Sequence, residues 1–189
     1  MVNNNFTLLK NITMKKTLLL LLLLISASTI PFAFNHHATY LQGPVNGQKA
    51  PNLIFKNPEG NVMALSELKG KVVMIDFWAS WCGPCRRANP FVVKMYNTYK
   101  DKKFNCGKGF EIYSVSLDQN AQAWKNAIAQ DGLTWKYHVS DLGYWSSEPA
   151  RIYGITSIPQ CYLIDGEGTI IGAGLRPEMV EQELAKRVK

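Results

Sequence analysis

Val72-Val73-Met74-Ile75-Asp76-Phe77-Trp78-Ala79-Ser80-Trp81-Cys82-Gly83-Pro84-Cys85 decides the reading of this chain. It opens as a continuous apolar run broken only by Asp76, the pattern of a strand buried on both faces. It closes on two cysteines separated by Gly83-Pro84, where a helix is predicted to start. Pro84 suits a first helical turn, because the N–H it lacks has no intrahelical partner there. Cys82 then sits at the helix N-terminus, where unpaired N–H groups and the helix dipole favour a thiolate. Such positions lower a cysteine pKa from about 8.5 to roughly 3.5–7.5, and the thiolate is the form that attacks disulfides. Cys85 lies within reach for ring closure, so Cys82 is the expected attacking thiol and Cys85 the resolving one.

Other uses of the pair fit less well. Zinc needs four ligands, usually from a second paired set. Cys106 and Cys161 are isolated, and His36, His37 and His138 lack metal spacing. No metal is expected. A c-type haem site needs histidine after Cys85, and Arg86 stands there. Cys161 reads as a small core residue, and a Cys106–Cys161 bridge is left open.

The stretch Val73–Arg86 resembles thioredoxin, and Ser157-Ile158-Pro159 matches a second marker of that superfamily. From about Gly47 to Val188 the chain is more similar to the TlpA/ResA branch. It carries the phrases Gly47-Gln48-Lys49-Ala50-Pro51-Asn52-Leu53 and Leu65-Ser66-Glu67-Leu68-Lys69-Gly70-Lys71, and about one helix more between Asp118 and Pro159. The resemblance implies an α/β thioredoxin-like fold: a central mixed sheet flanked by helices, with an N-terminal hairpin and a TlpA-type insertion. It implies a cis Ile158–Pro159 bond packed against the cysteines and shaping a groove for an extended substrate segment. Trp81, Gly83, Pro84, Ile158 and Pro159 are therefore the expected substrate-binding residues. The resemblance also makes Asp76 the buried carboxylate that handles the proton of the resolving cysteine, its pKa raised by burial. Ala88 departs from the branch, where ResA-type proteins carry glutamate.

The expected activity is exported thiol–disulfide oxidoreduction, with no cofactor beyond the Cys82–Cys85 couple. The Gly-Pro dipeptide resembles thioredoxin rather than strongly oxidising relatives, so reduction of client proteins is expected. A membrane donor of DsbD/CcdA type is the expected source of electrons. A disulfide oxidase or isomerase is one alternative. A thiol peroxidase on the related redoxin and AhpC/TSA scaffold is another, but its Pro-x-x-x-Thr/Ser-x-x-Cys pattern meets Ile75 and Ala79 here. A non-catalytic interaction module is disfavoured by the intact Trp-Cys-Gly-Pro-Cys.

The chain has 189 residues, 47% of them hydrophobic, enough for one domain with a full core. Residues 1–34 read as leader and signal peptide. Lys15 and Lys16 precede Leu18–Leu24, small residues follow at Ser26, Ala27, Ser28 and Ala33, and Met14 is the expected start. Periplasmic or other extracytoplasmic export follows, with an uncleaved anchor as the alternative. Residues 35–46 read as a linker and 47–189 as the thioredoxin-like domain. The net charge of +7 is partly the leader's Lys10, Lys15 and Lys16; the remainder is +4, without long basic runs, so no nucleic-acid partner is expected.

Local patterns place a hairpin over Leu53–Leu65 and a helical turn over Ser66–Gly70 capped by Ser66. A helix over Pro84–Tyr99 is expected to be kinked at Pro90 and to bury Phe91, Met95 and Tyr99. A loop covers Lys100–Gly109, and a second strand Phe110–Leu117. A helix from Asn120 stops at Gly132. A strand covers Tyr137–Val139 and a helix Glu148–Tyr153. A second hairpin joins Gln160–Asp165 to Thr169–Ala173, and a last helix spans Pro177–Val188.

Overall fold

The computed structural model describes residues 42–189; the leader and most of the linker read from the sequence lie outside them. In chain order the elements are β1 (Ile54–Lys56), β2 (Val62–Ala64), a 3-10 turn (Leu65–Leu68), β3 (Val72–Trp78), α1 (Gly83–Tyr99), β4 (Lys103–Phe104), β5 (Gly107–Lys108) and β6 (Phe110–Ser116). There follow α2 (Ala121–Gln130), β7 (Tyr137–Val139), a 3-10 turn (Tyr144–Ser146), α3 (Glu148–Ile152), β8 (Gln160–Ile164), β9 (Ile170–Leu175) and α4 (Pro177–Ala185).

The apolar run of β3 becomes the middle of a five-stranded sheet, ordered β7-β6-β3-β8-β9. Every residue of β3 is buried, which is why the run does not alternate. β3 pairs parallel with β6 and antiparallel with β8, so the sheet is mixed. Its register sets Asp76 opposite Ser114 on one side and Cys161 on the other. α1 packs on β6 and on α4, which covers β8 and β9. β1 and β2 form the separate N-terminal hairpin expected from the sequence. The architecture is the thioredoxin-like α/β fold.

Several local expectations change. The first 3-10 turn is capped not by Ser66 but by the Glu67 carboxylate, which accepts from the Ala64 N–H at 2.9 Å; Ser66 donates its own N–H to Asn52 Oδ1. The buried face of α1 is Cys85, Asn89, Val92 and Met95, while Phe91 and Tyr99 are half-buried flanks. The helix runs on through Pro90, whose ring faces solvent. The expected loop at 100–109 contains a two-stranded ribbon, β4–β5. Gly107 is required there, since a Cβ would lie 2.9 Å from Val72 Cγ2 and 3.0 Å from Val72 N. α4 stops at Ala185 because the tail joins this ribbon: Val188 bridges Phe104 and the Lys189 N–H bonds Lys103 O at 2.9 Å. The segment between Asp118 and Pro159 holds the expected helix α2, strand β7 and helix α3, and adds a 3-10 turn at Tyr144–Ser146. Cys106 and Cys161 are free thiols, one half-buried in the β4–β5 turn and one in the core strand β8, so they form no bridge.

Candidate active site

The site forms where β3 runs out of ladder. The chain turns through Ala79–Trp81, the Cys82 N–H bonds Ala79 O at 3.1 Å, and α1 begins. Cys82 is the helix N-cap, and its sulfur accepts the Cys85 N–H at 3.1 Å. That donor is one of the first-turn N–H groups without an intrahelical acceptor, so local helix geometry points a partial positive charge at this sulfur. Pro84 lies in the first turn. Cys82 and Cys85 are joined as a disulfide with their Cα atoms 5.2 Å apart.

Both cysteines are buried, 4% exposed for Cys82 and 1% for Cys85. The Ile158–Pro159 segment covers the sulfur, with Ile158 O 3.9 Å from Cys82 Sγ and a cis bond to Pro159. Gly83 and Pro84 are exposed, while Ile158 and Pro159 are half-buried. Trp81 is 45% exposed, its indole N–H held on Leu117 O at 3.2 Å. Trp78 is buried packing.

Asp76 is buried under this surface. Its carboxyl is bonded to the Ser114 hydroxyl (3.4 Å) and the Cys161 thiol (3.6 Å), not to Cys85. Burial raises its pKa to about 6, against the opposing pull of the Cys161 and Ser114 hydrogen bonds. The Trp135 indole donates to Ser114 Oγ at 3.0 Å, completing a buried polar chain of Trp135, Ser114, Asp76 and Cys161.

Sequence reasoning missed the groups that hold the turn. Asp118, buried at the end of β6, accepts the Ser80 N–H (2.9 Å), the Ser80 hydroxyl (2.5 Å) and the Ser116 hydroxyl (2.7 Å). Arg86 donates Nη1 to Ser80 O at 3.2 Å and grips Asp131 with Nε (2.5 Å) and Nη2 (2.8 Å). Asn89 adds a third bond to Asp131 at 2.6 Å. Ser80, two residues before Cys82, is thus fixed from the end of β6 and from the end of α2. Nothing in the local sequence pairs Asp118 with Ser80 or Arg86 with Asp131, since 38 and 45 residues separate them. Tyr144 and Trp145 were also missed; their rings lie 5.1 and 6.0 Å from that of Trp81.

A family model described as Redoxin matches residues 45–187. The thiol-disulfide oxidoreductase ResA of Bacillus thuringiensis subsp. konkukian is 30% identical over 180 residues, covering 93% of this chain and 98% of the relative. ResA of Bacillus anthracis is 32% identical, covering 72% of this chain and 73% of its own. Among solved structures, the thioredoxin domain of a thiol-disulfide oxidoreductase from Bacteroides vulgatus matches with a TM-score of 0.65 at 33% identity, over 76% of this chain and 97% of that one. A thiol-disulfide oxidoreductase from Bacteroides fragilis matches with a TM-score of 0.65 at 31% identity, over 74% and 98%.

Proposed function

Because the chain belongs to the Redoxin family, among its ResA-like thiol–disulfide oxidoreductases, we propose that it is exported and reduces disulfides of client proteins through Cys82 and Cys85. The observation that carries this reading is the Cys85 N–H aimed at Cys82 Sγ from the first turn of α1, at 3.1 Å. In the reduced protein the same donor stabilises a Cys82 thiolate and makes it the better nucleophile.

The Cys82 thiolate attacks one sulfur of the client disulfide. A Cys82–client bond forms, the client S–S bond breaks, and the first client thiolate departs and takes a proton. Cys85 then loses its proton and attacks Cys82 Sγ. The Cys82–Cys85 bond forms and the second client thiolate leaves. The client has gained two electrons and two protons; the enzyme holds the disulfide. Asp76 accepts the Cys85 proton in the second step and returns it in reverse. A group titrating at about 6 is suited to that exchange near neutral pH. Pro159 and Ile158 line the groove that receives an extended client segment, with Gly83-Pro84 as its other lip. No cofactor takes part, and a membrane thiol reductant of DsbD/CcdA type returns the enzyme to the dithiol. Export rests on the basic and Leu-rich N-terminal stretch.

Reduction of a disulfide-linked test protein with dithiothreitol as donor is expected for the wild type and is lost in Cys82→Ser. Equal rates in both would overturn the assignment. Thiol trapping in cells sets the direction: a dithiol at steady state supports a reductase, a disulfide an oxidase or isomerase.

A further inference from the structure

Four exposed large apolar side chains belong to two segments that meet here: Trp81 (45% exposed) on one, and Leu142 (38%), Tyr144 (38%) and Trp145 (42%) on the other. Trp81 immediately precedes the nucleophile. The other three lie in the loop between β7 and α3, inside the segment that the sequence marks as an insertion. The rings of Trp81, Tyr144 and Trp145 lie 5.1 to 6.1 Å apart and are mutually tilted.

The loop is built to hold these side chains outward. Leu142 and Tyr144 have φ of +55° and +53°, the left-handed region that bulky residues avoid. Such strain persists only where the surroundings over-determine it, and it gathers at functional sites. The surroundings do so here. The Ser140 hydroxyl accepts the Leu142 N–H (3.0 Å) while donating to Ser116 O (2.8 Å). The Asp141 carboxylate accepts the N–H groups of Gly143 (3.0 Å) and Glu148 (2.7 Å). The Ser146 N–H closes the turn on Gly143 O at 2.9 Å. Trp81 is fixed from beneath by its bond to Leu117 O.

We propose that Trp81, Leu142, Tyr144 and Trp145 form a docking surface for an apolar stretch of the client polypeptide next to the cysteine that Cys82 attacks. The inference rests on the reading of Cys82 as the nucleophile and names the side chains its substrates should carry. Continuity with the disulfide selects this occupant. A polypeptide joined to Cys82 through sulfur lies over Trp81, and from Trp81 the aromatic surface runs unbroken onto the loop. The chemistry selects apolar side chains: the surface is three aromatic rings and a leucine, which gain by being covered with apolar partners. The size excludes a stable self-association surface. Aromatic side chains bury about 150–250 Å² each, so three that are about two-fifths exposed present roughly 180–300 Å², and Leu142 adds less than any one of them. A standard interface uses about 800 Å² per partner.

The test uses two disulfide-bridged peptides that differ only beside one cysteine: Leu and Phe in one, Ser and Gly in the other. The whole chain turns each over with dithiothreitol as donor. Wild type is expected to favour the apolar peptide about tenfold in kcat/KM, mostly through KM. In the Tyr144→Gly, Trp145→Ser double variant this ratio is expected to fall to about one. The ratio does not depend on how much enzyme is folded, because both peptides meet the same preparation. Glycine at 144 also removes the backbone strain. A ratio near one in wild type, or a tenfold ratio kept by the variant, overturns the proposal. A dimer in sedimentation equilibrium that the double variant dissolves gives the surface to a second copy and overturns it too. Turnover of the Ser/Gly peptide measures disulfide chemistry alone, so its loss in Cys82→Ser checks the underlying reading separately.

Discussion

Asp76 was legible in the sequence as an acid inside an apolar strand, and burial with a raised pKa follows from that position alone. Its neighbours were not legible, because Ser114 and Cys161 reach it only through the register of β3 with β6 and β8. Cys161, read simply as a small core residue, turns out to donate to this carboxyl. The proposed proton transfer gives Asp76→Asn a defined phenotype. Resolution of the mixed disulfide by Cys85 should slow more than the first attack by Cys82. Cys85 is 1% exposed, so water is a poor substitute for the lost base. A slowing of about 100-fold near neutral pH is expected, at the low end of general acid–base effects. The defect should shrink as rising pH ionises Cys85 without help. Rapid-quench measurement of the mixed disulfide from about pH 6 to pH 9 reads this directly. Identical resolution rates throughout would make Asp76 a structural residue.

Among the elements, α1 shows how far periodicity carries. Its limits were readable from Pro84 and the pattern after it, and Met95 is buried as expected, but the other two residues assigned to its buried face, Phe91 and Tyr99, are not. Contact with β6 and α4 turns Cys85, Asn89, Val92 and Met95 inward and leaves the bulkier Phe91 and Tyr99 at the rim. The β4–β5 ribbon was unreadable because two-residue strands carry no period; the Val188 tail and the close approach of Gly107 to Val72 create it. The α1–α2 junction supplies a test. Arg86 uses its planar fork on Asp131 and a third nitrogen on Ser80 O, a geometry that a lysine ammonium cannot reproduce. Arg86→Lys is expected to destabilise the protein by about 1–3 kcal/mol, through partly buried acceptors left short of donors. It should also raise the alkylation rate of reduced Cys82, as the Ser80 turn loosens. Urea unfolding and timed iodoacetamide labelling measure the two effects. No change in either would show that the junction does not brace the site.

At the scale of the whole molecule, two buried groups set opposing pH dependences. Asp76 has a folded pKa of about 6 against an ordinary 3.8. The folded state therefore keeps a proton that the unfolded chain loses. That stability is complete below about pH 4 and is lost as pH rises through about 6. His138 runs the other way. Burial lowers its pKa to about 4, against the opposing pull of backbone hydrogen bonds to Leu133 and Trp135. Its contribution is complete above about pH 6.5 and is lost as pH falls towards 4. Each shift corresponds to about 3 kcal/mol. Asp131 and Glu183, whose pKa values are lowered by their cationic and amide partners, act below this window. The urea midpoint of wild type is therefore expected to change little from pH 6.5 to 4.5. That of Asp76→Asn should stand higher at pH 7 and fall steadily as the solution is acidified. Parallel profiles for the two proteins would refute the assignment of the shifted acid to Asp76. The central strand, the helix start and the cysteine pair were readable from the chain alone, because they depend on a hydrophobic run, helix-start chemistry and spacing within about fifteen consecutive residues; the thioredoxin-like class came from the resemblance those residues and Ser157-Ile158-Pro159 carry. Only the tertiary structure decided what surrounds them. Asp118 beneath Ser80, Asp131 on Arg86, Cys161 on Asp76 and the Tyr144–Trp145 surface beside Trp81 each join residues dozens of positions apart. Such contacts are fixed by strand order and register, quantities that leave no period in the chain for a reader to find.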